Sequence, residues 1–433
     1  MSKFIASPAT SLSGNLKVPG DKSISHRSIM LGSLSNGVTK VTGFLEGEDA
    51  LSTLKAFQAM GVKIERDGDN VIIQGVGING LKKPEGALDL GNSGTSIRLM
   101  SGILAAQDFD CELIGDESLS KRPMGRVINP LKEMGAMIDS DDGKPPLKIT
   151  GGQQLKGINY DLPVASAQVK SCILLAGLYA DGETCVTEPA PTRDHTERML
   201  KGLGYDVRVN NNKMCLTGGS ELTATEIQVP SDISSSAFFM VAACIAPQAD
   251  ITLLGVNINP TRTGVIDILQ LMGANLVLSN EREIGGELLA DIRIQSSKLH
   301  GIHIPEALVP LAIDEFPAVF IAASCAQGET ILTGAKELRV KESDRIQVMS
   351  DGLNILGIDN EVLEDGIKIQ GGEFKKPKSI IESHHDHRIS MSFAVASLRC
   401  KHSIEINGVD NVMTSFPNFV DLANSAGMNI VEV

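Results

Sequence analysis

Six glycines, Gly61, Gly135, Gly204, Gly273, Gly357 and Gly427, recur along the chain at intervals of 69 to 84 residues. Each closes a similar unit: a strand-like stretch, a loop, then an amphipathic helix ending in a hydrophobic residue and the glycine. "CELIGDESLSKRPMGRVINPLKEMGAMI" and "ITLLGVNINPTRTGVIDILQLMGANLVL" are two of the six copies. A glycine suits a helix end where the chain needs φ > 0 before turning into a strand. Each unit also contains a second, more apolar helix, such as "SCILLAGLYA" or "AVFIAASCA". A helix with no polar face belongs inside a fold. Self-similarity at a fixed period is the mark of a repeat architecture. Here it predicts an α/β chain of six units, each pairing one buried helix with one amphipathic helix, grouped as two domains of three. "VPGDKSIS" at Val18 returns as "VPSDISSS" at Val229, close to half the chain away.

The length of 433 residues agrees with more than one core. A formal charge of −14 argues against nucleic acid as a partner, and so do three Tyr and no Trp, because single-strand binders need stacking platforms. The longest apolar run, "FFMVAACIA", is far too short to span a membrane. No charged segment followed by an apolar one opens the chain, so no secretory signal is expected. The seven cysteines show no CxxC or paired spacing. They read as small buried residues of a reducing, cytoplasmic setting, with neither a disulfide framework nor a zinc site.

Any anion must therefore be met by local charge. The starts of the buried helices carry "GDKSISHR" (Lys22, Ser23, Arg27), "GNSGTSIR" (Asn92, Gly94, Arg98) and "VASAQVK" (Ser166, Gln168, Lys170) in the first half. The second half has "SDISSS" (Ser234), "IDEFP" (Asp314) and "HHDHR" (Asp386, Arg388). Ser, Asn and Asp are ordinary helix caps, so the hydroxyls taken singly need no ligand. A cation at a positive helix end is unfavourable unless an anion compensates it. A second set precedes the amphipathic helices: Lys121, Arg122 and Arg126, then Arg193, then Lys341, Glu342 and Arg345. The matching loops of the fourth and sixth units, "NPTRTG" and "VMTSFP", are poorer in charge. The pattern fits a cleft that receives phosphates and carboxylates, Arg as a fork and Lys as a point charge.

Two other motifs are weaker. "GVGING" matches GxGxxG, but "LKKPEG" after it does not open a helix as a dinucleotide site requires. "SHHDHR" gathers His384, His385 and His387 at no common metal spacing, so a capped helix start is the better reading.

"PGDKSISHR", "GNSGTSIR", "KRPMGR", "VASAQVKS", "TRDHTE", "NPTRTG", "IDEFP", "LRVKESDR" and "DHRISMSF" follow one another from end to end. In these motifs the chain closely resembles the 5-enolpyruvylshikimate-3-phosphate synthase family, of the bacterial class II type. The resemblance implies the enolpyruvyl transferase fold, two domains each of three βαβαββ repeats. It places residues 20–229 in one domain, 1–19 with 230–433 in the other, and the active site in the cleft between them. It implies transfer of the enolpyruvyl group of phosphoenolpyruvate to the 5-hydroxyl of shikimate 3-phosphate with release of phosphate, a step of the shikimate pathway. No metal or organic cofactor is implied, and a monomer is expected. By resemblance, Lys22, Ser23, Arg27, Ser166, Gln168, Arg193, Asp314 and Lys341 hold shikimate 3-phosphate. Lys22, Gly94, Arg122, Gln168, Arg345 and Arg388 hold phosphoenolpyruvate. Asp314 is the expected base at the hydroxyl, with Glu342 and Lys22 moving protons to and from carbon.

Two positions depart from the family pattern. Thr414 stands where many relatives have Lys, and Leu99 where many have Pro. Glyphosate-insensitive class II members carry Ala where this chain has Gly94, so the resemblance implies greater sensitivity here, partly opposed by Leu99. The rival acceptor is the sugar nucleotide of the UDP-N-acetylglucosamine enolpyruvyl transferases. That family commonly has Asn after the first Lys and a reactive Cys in the second-unit loop. Here Ser23 follows Lys22, and Cys111 lies ahead of "GDESLSKRPMGR" in a strand-like stretch. RNA 3′-phosphate cyclases share repeat architecture, but acidity and few aromatics oppose them. A non-catalytic scaffold has no need of acids and arginines at one end of its helices.

Overall fold

A computed structural model describes residues 2–433. Six helices form the interior: α1 (Lys22–Leu34), α2 (Gly94–Leu104), α3 (Ala167–Gly177), α4 (Ile233–Ile245), α5 (Phe316–Ser324) and α6 (His387–Ala396). Helices α4 and α5 are buried along their whole length. The other four emerge only near their N-terminal ends, at Lys22 and Ser23, Thr95 and Arg98, Ala167 and Gln168, and His387 and Arg388. Charged side chains are kept toward those ends, while the serines further along, such as Ser33 and Ser101, are buried.

Six outer helices, Glu48–Ala59, Gly125–Glu133, His195–Gly202, Gly264–Leu271, Arg345–Ile355 and Phe419–Ala426, close the repeats. All six marker glycines take positive φ, from 75° to 111°. A Cβ is disfavoured in that conformation, which explains the residue choice.

The helices pack on six sheets: four combine one parallel pairing with antiparallel ones, the sheet of the first repeat has two short strands parallel to Ser35–Thr42, and the sheet of the fifth repeat is antiparallel. In the third repeat, for example, Asn159–Asp161 runs parallel to Glu183–Thr187, which runs antiparallel to Lys213–Thr217. In the fifth repeat the parallel strand shrinks to isolated bridges, His300 to Gln327 and His303 to Ile331. The chain divides into two compact units. The first comprises Gly20–Val229 with Glu283–Glu287, and the second the residues up to Pro19, Pro230–Arg282 and Leu288–Val433. In the second unit, strand Lys3–Ser7 pairs antiparallel with Ile404–Asn407 and Asn429–Glu432, and Ser11–Leu16 runs parallel to Gln248–Asn257. Two separate apolar cores result, one within each unit.

One expectation needs correction. Cys185 and Cys215 are joined as a disulfide, with Cα atoms 4.1 Å apart. They are direct cross-strand partners on Glu183–Thr187 and Lys213–Thr217. Their sequence separation of 30 hides that register from any reading of spacing. No helix among the described residues is long and apolar enough to cross a membrane.

Candidate active site

In the first unit, Asp21 caps α1 by accepting from Ile24 N at 2.9 Å, and Lys22 follows. Lys22 Nζ forms an ion pair with Asp49 of the outer helix Glu48–Ala59. Burial opposes charge on Asp49, yet Lys22 beside it holds the carboxyl below its usual range. Arg27 is buried one turn on. Its Nε donates to Thr196 Oγ1 at 2.7 Å, one terminal nitrogen to Ser171 Oγ at 2.8 Å, and the other to the Ser23 carbonyl at 2.9 Å. Burial pushes this guanidinium down to about 10, against Glu197 and Asp21, with Arg193 adding repulsion. Lys22, Ser23 and Arg27 therefore lie within the first two turns of α1, with Arg193 near enough to repel Arg27.

His26 lies beneath them. Its Nδ1 is 2.8 Å from Thr53 Oγ1 and 3.3 Å from Ser96 Oγ. Ser96 Oγ in turn reaches Ser93 Oγ at 2.6 Å, the cap of α2. Burial, aided by Lys22 and Arg27, pushes His26 down to about 3, so the ring is neutral and links two helix starts through hydroxyls.

A second cation group surrounds Gly94, the first residue of α2. Arg98 donates to the Gly94 carbonyl at 3.1 Å and to Gln168 Oε1 at 2.9 Å, while Gln168 Nε2 donates to Thr95 Oγ1 at 3.0 Å. Arg122 donates to Asn92 Oδ1 at 2.5 Å, and Asn92 to Asp116 at 2.7 Å. Burial and the neighbouring Arg122 and Arg126 push Arg98 down to about 10. Ser166 caps α3, accepting from Val169 N at 3.4 Å, so its capping role is real. Lys121 pairs with Glu117 on the exposed surface. Leu99 is buried within α2.

In the second unit the charges form a denser knot. Arg345, fully buried, donates to Asp386 Oδ2 at 2.8 Å, Asp314 Oδ1 at 3.2 Å and Glu342 Oε2 at 2.5 Å. Lys341 Nζ is 2.8 Å from Glu337 and 3.6 Å from Asp314. Arg388 donates to the Asp314 carbonyl at 2.9 Å, and its own N–H bonds to Asp386, the cap of α6. Asp314, Lys341, Glu342, Arg345 and Arg388 thus converge at the starts of α5 and α6. Burial works against charge on Glu342, but Arg345, His387 and Arg388 hold it well below the usual carboxylate range.

The sequence does not single out Asp49 or Arg262, and it does not pair Asp386 with Arg345. Asp49 faces Lys22 from a different helix, and Asp386 faces Arg345 across 41 residues of chain. The fourth-unit loop, read as poor in charge, supplies the buried Arg262, which donates to Ser234 Oγ at 2.7 Å and lies 3.3 Å from Asp232 and 3.7 Å from Glu315. Lys22, a helix-start cation that the sequence reading leaves to a bound anion, already has the Asp49 carboxylate at contact. Thr414 donates to the Asn411 carbonyl at 2.7 Å. Cys111 lies in strand Cys111–Ile114, and burial pushes its thiol up to about 12, unlike a reactive cysteine. Among the described residues, His384, His385 and His387 form no metal-ligand group.

Six repeats in two units, with acids and guanidiniums collected at the starts of buried helices, are the architecture of an enolpyruvyl transferase. The family model for EPSP synthase (3-phosphoshikimate 1-carboxyvinyltransferase) matches residues 6–422. A relative from Ruthia magnifica subsp. Calyptogena magnifica, named 3-phosphoshikimate 1-carboxyvinyltransferase, is 80% identical over 430 residues, 99% of each chain. One of the same name from Hydrogenovibrio crunogenus is 63% identical over 438 residues, covering 100% of this chain and 98% of its own. A solved structure of EPSP synthase from Acinetobacter baumannii superposes with a TM-score of 0.92 at 61% identity, with 100% of both chains covered. The chain belongs to the EPSP synthase family and is an enzyme, a transferase of the shikimate pathway. The sugar-nucleotide alternative is not favoured by these likenesses.

Proposed function

We propose that the chain transfers the enolpyruvyl group of phosphoenolpyruvate to the 5-hydroxyl of shikimate 3-phosphate. The full-length family match carries this reading, and the charge pattern supports it, because both substrates are phosphorylated carboxylates. Lys22, Ser23, Arg27, Ser166, Gln168, Arg193, Asp314 and Lys341 bind shikimate 3-phosphate. Lys22, Gly94, Arg122, Gln168, Arg345 and Arg388 bind phosphoenolpyruvate.

Asp314 takes the proton of the 5-hydroxyl as its oxygen attacks C2, while C3 gains a proton. The tetrahedral intermediate then loses a methyl proton and phosphate, restoring the double bond. Glu342 is held as an anion by Arg345, which suits it to accept the methyl proton. Lys22, an ammonium held against Asp49, suits the donation to C3. Fixed guanidiniums stabilise the intermediate and the leaving phosphate without reorganising. Residues of both units must serve this one reaction. Scattering with and without shikimate 3-phosphate tests closure, and an unchanged radius of gyration counts against it. A cytoplasmic monomer belongs to the same reading, with light scattering as its check.

Phosphate release from phosphoenolpyruvate, with shikimate 3-phosphate or UDP-N-acetylglucosamine as acceptor, tests the assignment. Release with the former alone supports it, and release with the sugar nucleotide overturns it.

A further inference from the structure

Behind the proposed ligand residues of the first unit lies a buried cation that the mechanism does not use. Lys170, in the first turn of α3, has 1% of its side chain exposed. Its Nζ lies 3.0 Å from Glu188 Oε2 and 2.8 Å from Glu197 Oε1, both carboxylates being buried as well. Such a triad costs desolvation of three charges and is weak evidence for stability, since apolar residues often fill the space equally well. Its placement suggests a different use.

Glu188 follows strand Glu183–Thr187, and Glu197 sits in the first turn of helix His195–Gly202. The segment between them carries Arg193. Glu188 also accepts from Thr192 N at 3.2 Å and Thr192 Oγ1 at 2.6 Å, gripping the residue just before Arg193. Asn212 Nδ2 donates to the Glu188 carbonyl at 2.9 Å, fixing the start of the segment from the neighbouring strand turn. At the other end, Thr196 beside Glu197 and Ser171 beside Lys170 are the two hydroxyls that receive Arg27. One ammonium therefore closes both ends of the Arg193 segment.

We infer that Lys170 is a positioning residue: by holding Glu188 and Glu197 together it sets where the Arg193 guanidinium stands to meet an anionic substrate. The inference rests on the proposal that Arg193 binds shikimate 3-phosphate. Without the Lys170 link, Glu188 loses its charge partner, the Thr192 grip loosens, and the guanidinium has to be ordered by the ligand itself.

The test is calorimetric titration of shikimate 3-phosphate into the wild type and into Lys170→Met, Glu188→Gln, Thr192→Val and Arg193→Ala, with steady-state kinetics alongside. Glu188→Gln keeps the size of the side chain and an acceptor for Thr192, so it carries the test if Lys170→Met does not fold. Loss of one charged link predicts binding weaker by about tenfold or more in Lys170→Met or Glu188→Gln. The KM for phosphoenolpyruvate at saturating shikimate 3-phosphate should stay within about twofold. A merely structural role is separated by a double-mutant cycle. Glu188→Gln added to Arg193→Ala should cost nothing further if Glu188 acts through Arg193. Full additivity, or unchanged affinity in Glu188→Gln while Arg193→Ala is weakened, overturns the positioning role. Unchanged affinity in Arg193→Ala itself overturns the ligand assignment, and the positioning role falls with it.

Discussion

Replacing Gly94 by alanine separates ligand geometry from fold stability. A Cβ at Gly94 would lie 2.7 Å from a terminal nitrogen of Arg98 and 3.0 Å from one of Arg122. Both are ends of long side chains, so they can give way, and Gly94 does not need the left-handed backbone region. Alanine also favours a helix over glycine by up to about 1 kcal/mol, less at the first position. Folding stability should therefore change by no more than about 1 kcal/mol. Binding is another matter, because the displaced Arg98 nitrogen is the one bonded to Gln168 and to the Gly94 carbonyl. Losing one charge-assisted hydrogen bond is worth about 1.5–3 kcal/mol. That corresponds to a rise of about 10- to 100-fold in KM for phosphoenolpyruvate. Glyphosate should lose more, so its inhibition constant should rise by a larger factor than KM. The assay is phosphate release across a matrix of phosphoenolpyruvate and glyphosate concentrations, with a thermal melt as control. Unchanged inhibition in a folded variant would refute the ligand assignment of Gly94. A melt lowered by tens of degrees would refute the claim that only side-chain ends move.

Two other outcomes follow from the site. His26 is held near 3 in the fold against 6.5 for a free imidazole. The unfolded chain thus takes up a proton that the folded one refuses, so stability is complete above pH 6.5 and declines as pH falls toward 3. Between pH 7 and 5 the wild type should lose about 2 kcal/mol more than His26→Gln in urea titrations, and equal losses would remove His26 from the account. Asp314→Asn should lower kcat by about a hundredfold or more while shikimate 3-phosphate still binds. A loss of only a few fold would show that another group is the base.

Much of the fold could be read from sequence because its signals are local. A glycine after a helix reports positive φ whatever surrounds it, and the six marker glycines do take it. A helix with no polar face can only be inside, which is where α4 and α5 lie. What could not be read is pairing. Lys22 looks uncompensated until its helix packs on the one bearing Asp49, and Arg345 until α6 brings Asp386 beneath it. The Cys185–Cys215 bond depends on the register of a strand pair, and Arg262 on the burial of a loop that looked ordinary. Serines were ambiguous for another reason. Capping and ligand binding use the same hydroxyl: Ser166 caps its helix, whereas Ser234 donates to Glu315, a partner that spacing does not specify.

One chain joins these two anionic substrates. Carbon-labelled phosphoenolpyruvate, incubated with the protein and shikimate 3-phosphate and followed by NMR, tests it most directly. The labelled C2 should become bonded to the 5-oxygen of shikimate 3-phosphate, with one phosphate freed for each bond formed. Phosphate freed without that bond, or the label on another acceptor, would contradict it.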